Sequence, residues 1–308
     1  MNESSNRDVL STLTLPRKYY EELFRETDAL RKRLKTKNAL DICAGSILAT
    51  VFMEPSTRTR LSFQFAMTKI GGTVLDFGSV EAASTAKGET FEDTMRMIDG
   101  YSPNAIVVRT KVAGSSRVAA DICSAPVINA GDGSNEHPTQ AMLDLYTMQR
   151  IRGGIDGIKI GLMGDLAHSR TTSSLSYALD KFSDVSIYYI APSELQIRPD
   201  VLDSLKHSKI QKAQNYMQII HELDFLYVTR LQKERFADSN EYDRLKGSYQ
   251  LDRTALSKYD KLPFIMHPLP RIDELNPDLD ELQVAKYFEQ AKNGMYVRAA
   301  LLKRILSK

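Results

Sequence analysis

Hydroxyl and guanidinium side chains crowd one short segment of the chain, Ser56-Thr57-Arg58-Thr59-Arg60. The segment follows a predicted strand at 48–53 and precedes a stretch with the apolar spacing of a helix. The first N–H groups of a helix lack partners within the helix and carry a partial positive charge, so this position favours a phosphate. Arg58 can add charge-assisted bonds, and the neighbouring hydroxyls can donate as well. The alternative is an ordinary capped helix with solvated arginines.

A histidine occupies a comparable position after another predicted strand, 126–129. The segment His137-Pro138-Thr139-Gln140 follows a glycine-containing turn expected at 130–133, and proline suits the first turn of a helix. In α/β sheets, ligands usually bind at the carboxyl ends of the strands. His137 is therefore a candidate catalytic residue, although a single histidine is as often structural.

Basic and amide side chains follow two further predicted strands. Arg170 lies at the start of the helix predicted after strand 159–163, where its guanidinium can hold a carboxylate through two hydrogen bonds. Arg230 and Gln232 follow strand 224–229 and point the same way if the chain is extended, so they can hold one acidic group together. The alternative for Arg230 and Gln232 is a solvated basic loop.

Two prolines stiffen the segment His267-Pro268-Leu269-Pro270-Arg271, which follows the predicted strand 263–266. Proline has no N–H group, so the segment lacks two backbone donors, while its carbonyls can accept hydrogen bonds from a ligand amide. A rigid turn that binds nothing explains the prolines equally well.

Glycines near the strand 159–163 invite a dinucleotide-binding interpretation, which the spacing does not support. The fingerprint G-x-G-x-x-G needs three glycines, and Gly161-Leu162-Met163-Gly164 supplies two at another spacing. We therefore interpret Gly161 and Gly164 as turn residues between a strand and a helix. The pattern disfavours a dehydrogenase.

The scaffold that positions these segments is predicted from the alternation of apolar, β-branched runs with helix-period stretches. This alternation is typical of parallel sheets covered by helices. One helix is expected to start at a capping box formed by Thr90 and Asp93. We predict an α/β fold of two domains, each a mainly parallel sheet flanked by helices, with strands at 48–53, 73–77, 105–109, 126–129, 159–163, 185–190, 224–229 and 263–266.

The chain length of 308 residues favours two domains. Arg152-Gly153-Gly154 is the best boundary, because glycines free the backbone just after a helix that can bridge two domains. We predict a first domain of 1–138 plus 291–308, a second domain of 152–290 and a linking helix at 139–151.

Composition limits the kinds of partner. The formal net charge of +2 gives no extended field for nucleic acid or an anionic membrane. Cys43 and Cys123 lie far apart without the spacing of a zinc site or a disulfide scaffold. No apolar run approaches the ~18 residues that span a bilayer. We expect a cytoplasmic protein with reduced thiols and with neither a metal nor an organic cofactor.

Taken together, the segments resemble the aspartate/ornithine carbamoyltransferase family, and more closely its aspartate branch. The resemblance rests on motifs that lie in order between residues 54 and 271: Ser-Thr-Arg-Thr-Arg, Lys-Gly-Glu-Thr, His-Pro-Thr-Gln, Gly-Asp-Leu-Ala-His-Ser-Arg, Thr-Arg-Leu-Gln-Lys-Glu-Arg and His-Pro-Leu-Pro-Arg. The ornithine branch is expected to have His-Cys-Leu-Pro in the last segment and to lack the lysine of the second. The set is far more specific than any single motif.

The resemblance implies that carbamoyl phosphate is one substrate. Its phosphate would be bound by four residues of the first segment, Ser56, Thr57, Arg58 and Thr59. Its carbamoyl oxygen would be polarised by Thr59, Arg109 and His137. Its NH2 group would be held by Gln140 and by the backbone carbonyls near Pro268 and Leu269.

The same resemblance implies L-aspartate as the second substrate. Arg170 would hold the α-carboxylate, while Arg230 and Gln232, helped by Lys87, would hold the side-chain carboxylate. Cations at this position suit a carboxylate and would repel the ammonium group of ornithine. In the family, Lys87 and a nearby serine, here Ser84, reach into the active site of a neighbouring subunit, which implies a homotrimer with shared sites.

The implied reaction is carbamoyl transfer from carbamoyl phosphate to the α-amine of aspartate, a step of pyrimidine biosynthesis. The protein would orient two anions and stabilise negative charge on oxygen. Glu54 and Arg235 are candidates for ion pairs that hold the two domains closed, or are surface charges. Two alternatives are a carbamoyltransferase for ornithine or another amino acid, and a catalytically silent anion-binding subunit. The sequence leaves open whether regulatory chains accompany the trimer.

Overall fold

Helices and strands alternate along the chain in a computed structural model that describes residues 7–77, 88–232, 239–245 and 249–307. The strands are β1 Ile47–Phe52, β2 Thr73–Phe77, β3 Ala105–Thr110, β4 Val127–Asp132, β5 Lys159–Met163, β6 Ser186–Ile190, β7 Lys209–Ala213, β8 Phe225–Val228 and β9 Phe264–Met266. The helices are α1 Arg17–Thr36, α2 Thr57–Lys69, α3 Phe91–Gly100, α4 Ser115–Ile122, α5 Pro138–Arg152, α6 Arg170–Leu179, α7 Pro199–Ser204, α8 Ser239–Leu245, α9 Arg253–Leu256 and α10 Tyr287–Leu306. The predicted α/β class, with parallel sheets flanked by helices, is confirmed.

The first sheet has the strand order β2-β1-β3-β4, and all of its pairs are parallel. The central strand β1 pairs Leu48 with Ala105 of β3, and β3 in turn pairs Ile106 with Val127 of β4. Because the strands are parallel, the carboxyl ends of β1, β3 and β4 lie side by side at one edge of the sheet. The segment 56–60 follows the end of β1, His137 follows the end of β4, and Arg109 lies near the end of β3.

The second sheet has the order β7-β6-β5-β8-β9, and its pairs are also parallel. The strand β5 lies at the centre and pairs Ile160 with Ile187 on one side and with Phe225 on the other. The carboxyl ends of β5, β8 and β9 are therefore neighbours. Arg170, Arg230 and Pro268 follow these three ends along the chain.

The sequence patterns missed one strand and misplaced two sheet features. The edge strand β7 reads Lys-Ile-Gln-Lys-Ala and is mostly exposed, so it lacks the apolar run by which the buried strands were predicted. The strand β4 continues to Asp132 through residues expected in a turn. Gly161, also expected in a turn, lies inside β5, where an added Cβ would come within 2.7 Å of Leu223.

Three predicted helix starts are confirmed. The α3 helix begins after Thr90, whose side chain accepts a hydrogen bond from the N–H of Asp93 at 3.1 Å. The α5 helix begins at Pro138, where the N–H that proline lacks would have no partner within the helix. The α6 helix begins at Arg170 after the N-cap Ser169.

The chain forms two compact units, one of Met1–Leu143 with Asn293–Lys308 and the other of Asp144–Lys292. The first division falls inside α5, within the segment predicted as a linking helix. In the first unit, Arg298 of α10 donates to Ser62 Oγ of α2 at 2.9 Å and to Thr139 Oγ1 of α5 at 3.3 Å. Within the described ranges, no helix is both long and apolar enough to cross a membrane.

Candidate active site

The turn between β1 and α2 presents the first cluster of polar side chains. Ser56 is the N-cap residue of α2, and among the described residues its side chain makes no capping hydrogen bond. Thr57 and Arg58 are exposed, while Thr59 is buried. Since the N-cap hydroxyl is not used to cap the helix, this geometry favours anion binding over an ordinary capped helix.

Thr59 and His137, from different strand ends, meet in the first unit. Thr59 Oγ1 lies 3.3 Å from His137 Nε2, and the two residues are 6% and 3% exposed. The carbonyl of His137 accepts from the N–H of Gln140 at 3.0 Å, which places Gln140 in the first turn of α5. A buried hydroxyl and imidazole are thus held together beside the start of α2.

Arg109 near the end of β3 contributes the third predicted group. Its Nε lies 3.3 Å from Glu54 Oε2, and its Nη1 donates to the carbonyl of Ala130 at 3.4 Å. Glu54, which follows β1, is ion-paired with Arg109, and its role in holding the domains closed stays a prediction. Arg235, the other candidate, lies outside the described residues. No local pattern indicates the Glu54–Arg109 pair, since the two residues are far apart along the chain.

A buried carboxylate that sequence reasoning missed fixes the backbone before His137. Asp132 accepts from the N–H of Gly114 at 2.8 Å and from the side-chain amides of Asn129 at 2.9 Å and Asn135 at 3.0 Å. Gly133 has φ +54°, and an added Cβ would lie 2.8 Å from the backbone nitrogen of Ala113. The turn therefore requires glycine, and Asp132 ties it to the segment after β3.

A cavity of about 980 Å³ opens beside the start of α2 in the first unit. Its polar wall includes Glu54, Ser56, Thr57 and Arg60. Its apolar wall includes Phe52, Leu61, Phe91, Val112 and Val118. Arg60 is ion-paired with Asp76, so its charge is partly balanced. The cavity is large enough for a small phosphorylated ligand. In the described part of the chain, much of its apolar wall remains exposed to solvent.

In the second unit, Arg170 is the first residue of α6 and is buried. The N-cap Ser169 accepts from the N–H of Thr172 at 3.4 Å. A helix start adds its own partial positive charge to that of the guanidinium. The predicted position of Arg170 at a helix start is confirmed, and its role in binding a carboxylate stays a prediction.

Asp165 links the segments that follow β5 and β8. Its carboxylate is fully buried and accepts from the N–H of Gln232 at 3.2 Å and from that of His168 at 3.1 Å. The preceding Gly164 has φ +114°, and an added Cβ would lie 2.1 Å from the carbonyl oxygen of Thr229. Asp165 belongs to a motif that the sequence analysis singled out, but its contact with Gln232 needed the fold.

The segments after β8 and β9 carry the remaining predicted residues. Arg230 is half-buried and donates from Nη1 to the carbonyl of Leu231 at 3.1 Å. Pro268 and Leu269 are half-buried, and Leu269 has φ 55° before a cis peptide bond to Pro270. The structure thus brings Arg230 and Gln232 to one strand end and Pro268 and Leu269 to the next.

Ser84 and Lys87 lie outside the described residues. Among the residues that are described, no cluster of histidine, cysteine, aspartate and glutamate is arranged to hold a metal ion.

Comparison with known proteins identifies the family. Residues 7–150 match the aspartate/ornithine carbamoyltransferase carbamoyl-P binding domain, and residues 156–305 match the Asp/Orn binding domain of the same family. The aspartate carbamoyltransferase catalytic subunit of Methanopyrus kandleri is 46% identical, over 99% of each chain.

Solved structures are similar over nearly the whole chain. The catalytic subunit of Methanocaldococcus jannaschii aspartate transcarbamoylase has a TM-score of 0.88 and 45% identity, covering 97% of this chain and 98% of that one. Trypanosoma cruzi aspartate transcarbamoylase in complex with N-(phosphonacetyl)-L-aspartic acid has a TM-score of 0.92 and 35% identity, covering 98% and 96%. This chain belongs to the aspartate/ornithine carbamoyltransferase family.

Proposed function

We propose that this protein transfers the carbamoyl group of carbamoyl phosphate to the α-amine of L-aspartate, giving N-carbamoyl-L-aspartate and phosphate. The observation that carries the proposal is the pairing of Thr59 with His137 beside the start of α2, where an anion site and donors for an oxyanion meet. Near-full-length relatives named aspartate carbamoyltransferase catalytic subunit support the same activity.

The first unit binds carbamoyl phosphate in this proposal. Its phosphate takes hydrogen bonds from the first turn of α2, through Ser56, Thr57, Arg58 and Thr59. Arg109 is ion-paired with Glu54 in the structure, and binding of the anionic substrate would give its guanidinium a further charged acceptor. Gln140 and the carbonyls of Pro268 and Leu269 hold the NH2 group, because only acceptors can recognise its protons.

The chemical step is direct acyl transfer. The neutral amine of aspartate attacks the carbamoyl carbon, a C–N bond forms, and the carbonyl oxygen becomes an oxyanion. Thr59, Arg109 and His137 stabilise that charge. The C–O bond to phosphate then breaks, and the departing phosphate accepts the proton that the amine loses.

The second unit binds aspartate. Arg170 holds the α-carboxylate at the start of α6, where the helix end reinforces its charge. Arg230 and Gln232 hold the side-chain carboxylate, and Asp165 fixes Gln232 through its N–H. Ornithine would place an ammonium group near Arg230, which is electrostatically unfavourable.

We further propose a homotrimer with shared sites, in which Ser84 and Lys87 of one subunit act in the site of its neighbour. The cavity beside α2 supports this assembly, because its wall combines the phosphate-site residues with apolar side chains. Leu61, Phe65 and Val112 of the first unit are exposed large apolar residues of the kind that an interface covers. The two free cysteines support a cytoplasmic location, where thiols stay reduced.

Product formation with purified protein tests the proposed function. The protein is incubated with carbamoyl phosphate and either aspartate or ornithine, and the ureido product and released phosphate are measured together. We expect carbamoyl-aspartate and phosphate in equal amounts, and no product from ornithine. Product from ornithine alone would overturn the roles of Arg230, Gln232 and Lys87, and no product from either would favour a silent anion-binding subunit. Arg170→Ala serves as the matched control, since it should impair use of aspartate and spare phosphate binding.

A further inference from the structure

Several hydrogen bonds hold the backbone of the segment that follows β9, and the first of them is made by His267. His267 is 1% exposed, and its N–H donates to Gln290 Oε1 at 2.9 Å. Gln290 Nε2 in turn donates to Asp144 Oδ1 at 2.6 Å. Within the second unit, α5 and α10 thereby fix the point at which the chain leaves β9.

The ring of His267 makes two hydrogen bonds that define its tautomer. The N–H of Leu269 donates to His267 Nδ1 at 2.8 Å, so Nδ1 is an acceptor and carries no proton. His267 Nε2 lies 2.7 Å from Glu274 Oε1, so Nε2 carries the proton and donates to the carboxylate. A doubly protonated ring would set an N–H at Nδ1 against the N–H of Leu269. The neutral Nε2–H form is therefore the one that fits.

Glu274 is well placed to hold this tautomer as an ionised acceptor. It is 5% exposed, and it also accepts from the N–H of Ile272 at 3.2 Å. Burial raises the pKa of Glu274, the hydrogen bond from His267 and the nearby backbone N–H groups lower it, and the pKa lies below its ordinary value. An ionised carboxylate can only accept, which keeps the imidazole proton on Nε2.

The hydrogen bond to Nδ1 also sets the direction of a carbonyl. The N–H of Leu269 and the C=O of Pro268 belong to one planar trans peptide and point in opposite directions. Because the N–H is directed at the His267 ring, the Pro268 carbonyl must point away from it. Leu269 has φ 55°, a conformation that side-chain-bearing residues rarely adopt, so external contacts must hold it.

We propose that His267 and Glu274 are a positioning pair that directs the Pro268 carbonyl toward the NH2 group of carbamoyl phosphate. The pair thereby sets the preference for a carbamoyl group, which has an NH2, over an acetyl group, which has a methyl in its place. This inference rests on the proposed function, in which the carbonyls of Pro268 and Leu269 accept from that NH2. Neither side chain touches the substrate in this arrangement. Glu274 holds the tautomer of His267, and His267 in turn holds the orientation of the peptide plane between Pro268 and Leu269.

Comparison of three ligands isolates the predicted effect. Carbamoyl phosphate has the NH2 group, acetyl phosphate has a methyl in its place, and inorganic phosphate has neither. Each is titrated calorimetrically into the full-length protein and its variants. His267→Phe fills the space but offers no acceptor to Leu269, so we expect carbamoyl phosphate to bind roughly tenfold more weakly while the other two ligands change less than about twofold.

Two further variants separate positioning from general damage to the fold. His267→Asn can place its amide oxygen near the position of Nδ1 and should recover most of the carbamoyl phosphate affinity. Glu274→Gln retains one acceptor and should give a smaller loss in the same direction. Asp273→Asn, beside Glu274 in sequence, is the control and should change none of the three affinities.

The outcomes distinguish this inference from the proposed function itself. Equal loss for all three ligands, or no recovery in a folded His267→Asn variant, would overturn the positioning role. If His267→Phe does not fold, Glu274→Gln and His267→Asn still decide by their ratio of carbamoyl to acetyl phosphate affinity. Wild-type protein that makes no carbamoyl-aspartate would contradict the proposed function, whereas normal wild-type turnover with unaltered variant ratios would contradict this inference alone.

Discussion

At the scale of single residues, the contact between Thr59 Oγ1 and His137 Nε2 joins two segments that are 78 residues apart in sequence. Both side chains are buried, so a charge that develops next to them is poorly screened by water. Donors in such a site stabilise a transition state more than a ground state, because they are already oriented. In the proposed mechanism, Thr59 and His137 therefore serve turnover more than binding.

Replacement of His137 by alanine tests that distinction. We expect kcat to fall about a hundredfold, since loss of one oxyanion donor typically costs roughly 3 kcal/mol of barrier. Inhibition by inorganic phosphate should change little, because the proposed phosphate site is the first turn of α2 and does not include His137. Steady-state kinetics with phosphate as inhibitor measures both quantities, and a parallel loss in the two would contradict the assigned role.

Asp165 is predicted to act on aspartate binding through Gln232. Removal of a charged acceptor costs about 1.5–3 kcal/mol, so Asp165→Ala should lower kcat/KM for aspartate by at least roughly tenfold. Direct binding of carbamoyl phosphate should stay within about twofold of wild type by the same reasoning. Asp203→Ala, an exposed aspartate on α7 of the same unit, is the matched control and should leave both unchanged.

At the scale of elements, the central strands and the helix starts followed directly from local patterns, whereas the edge strand β7 did not. Buried strands need apolar side chains on both faces, and this produces the runs that the sequence displays. An edge strand is held chiefly by its backbone pairing to one neighbour, here β6. The segment 206–208, which precedes β7, is held by hydrogen bonds to Asp180, the residue that follows α6.

Asp180 should make the segment before β7 sensitive to pH. Its carboxylate accepts from the N–H groups of Lys206, His207 and Ser208 at 2.9, 2.9 and 2.7 Å. Burial raises the pKa of Asp180, but these hydrogen bonds outweigh it and leave the pKa below the ordinary value of 3.8. The stabilisation is therefore complete above that ordinary value and is lost as the pH falls through the lower pKa of the folded state.

Urea unfolding of Asp180→Asn measures this contribution. We expect the variant to be about 2 kcal/mol less stable at neutral pH, with a difference that shrinks as the pH falls below 3.8. Asp184→Asn is the control, because its ion pair with Lys209 is exposed and contributes little. A difference independent of pH would show that the amide, and not the lost charge, causes the effect.

At the scale of the whole molecule, a shared active site predicts that two inactive variants complement each other. In the proposed homotrimer each site combines His137 of one subunit with Lys87 of its neighbour. Mixed trimers of His137→Ala and Lys87→Ala chains would therefore contain some sites with both residues intact. For an equal random mixture this fraction is about a quarter, so roughly a quarter of wild-type activity should return.

Subunit exchange in mild denaturant followed by assay of the mixture provides the measurement. Each variant carried alone through the same exchange is the control and should stay inactive. Activity no greater than the sum of the two variants would contradict sharing of the site, even if the protein is trimeric by light scattering.

The fold class, the positions of the buried strands and the segments that carry the candidate residues could be predicted from the amino-acid sequence alone. These features are local, because periodicity, capping and strand-end position depend on residues close in the chain. The pairing of distant groups follows from the folded chain: Arg109 with Glu54, Asp165 with Gln232, and His267 with both Glu274 and Leu269. A hydrogen bond depends on tenths of an ångström and on direction, and no pattern of residue types specifies either until the sheets bring the strand ends together.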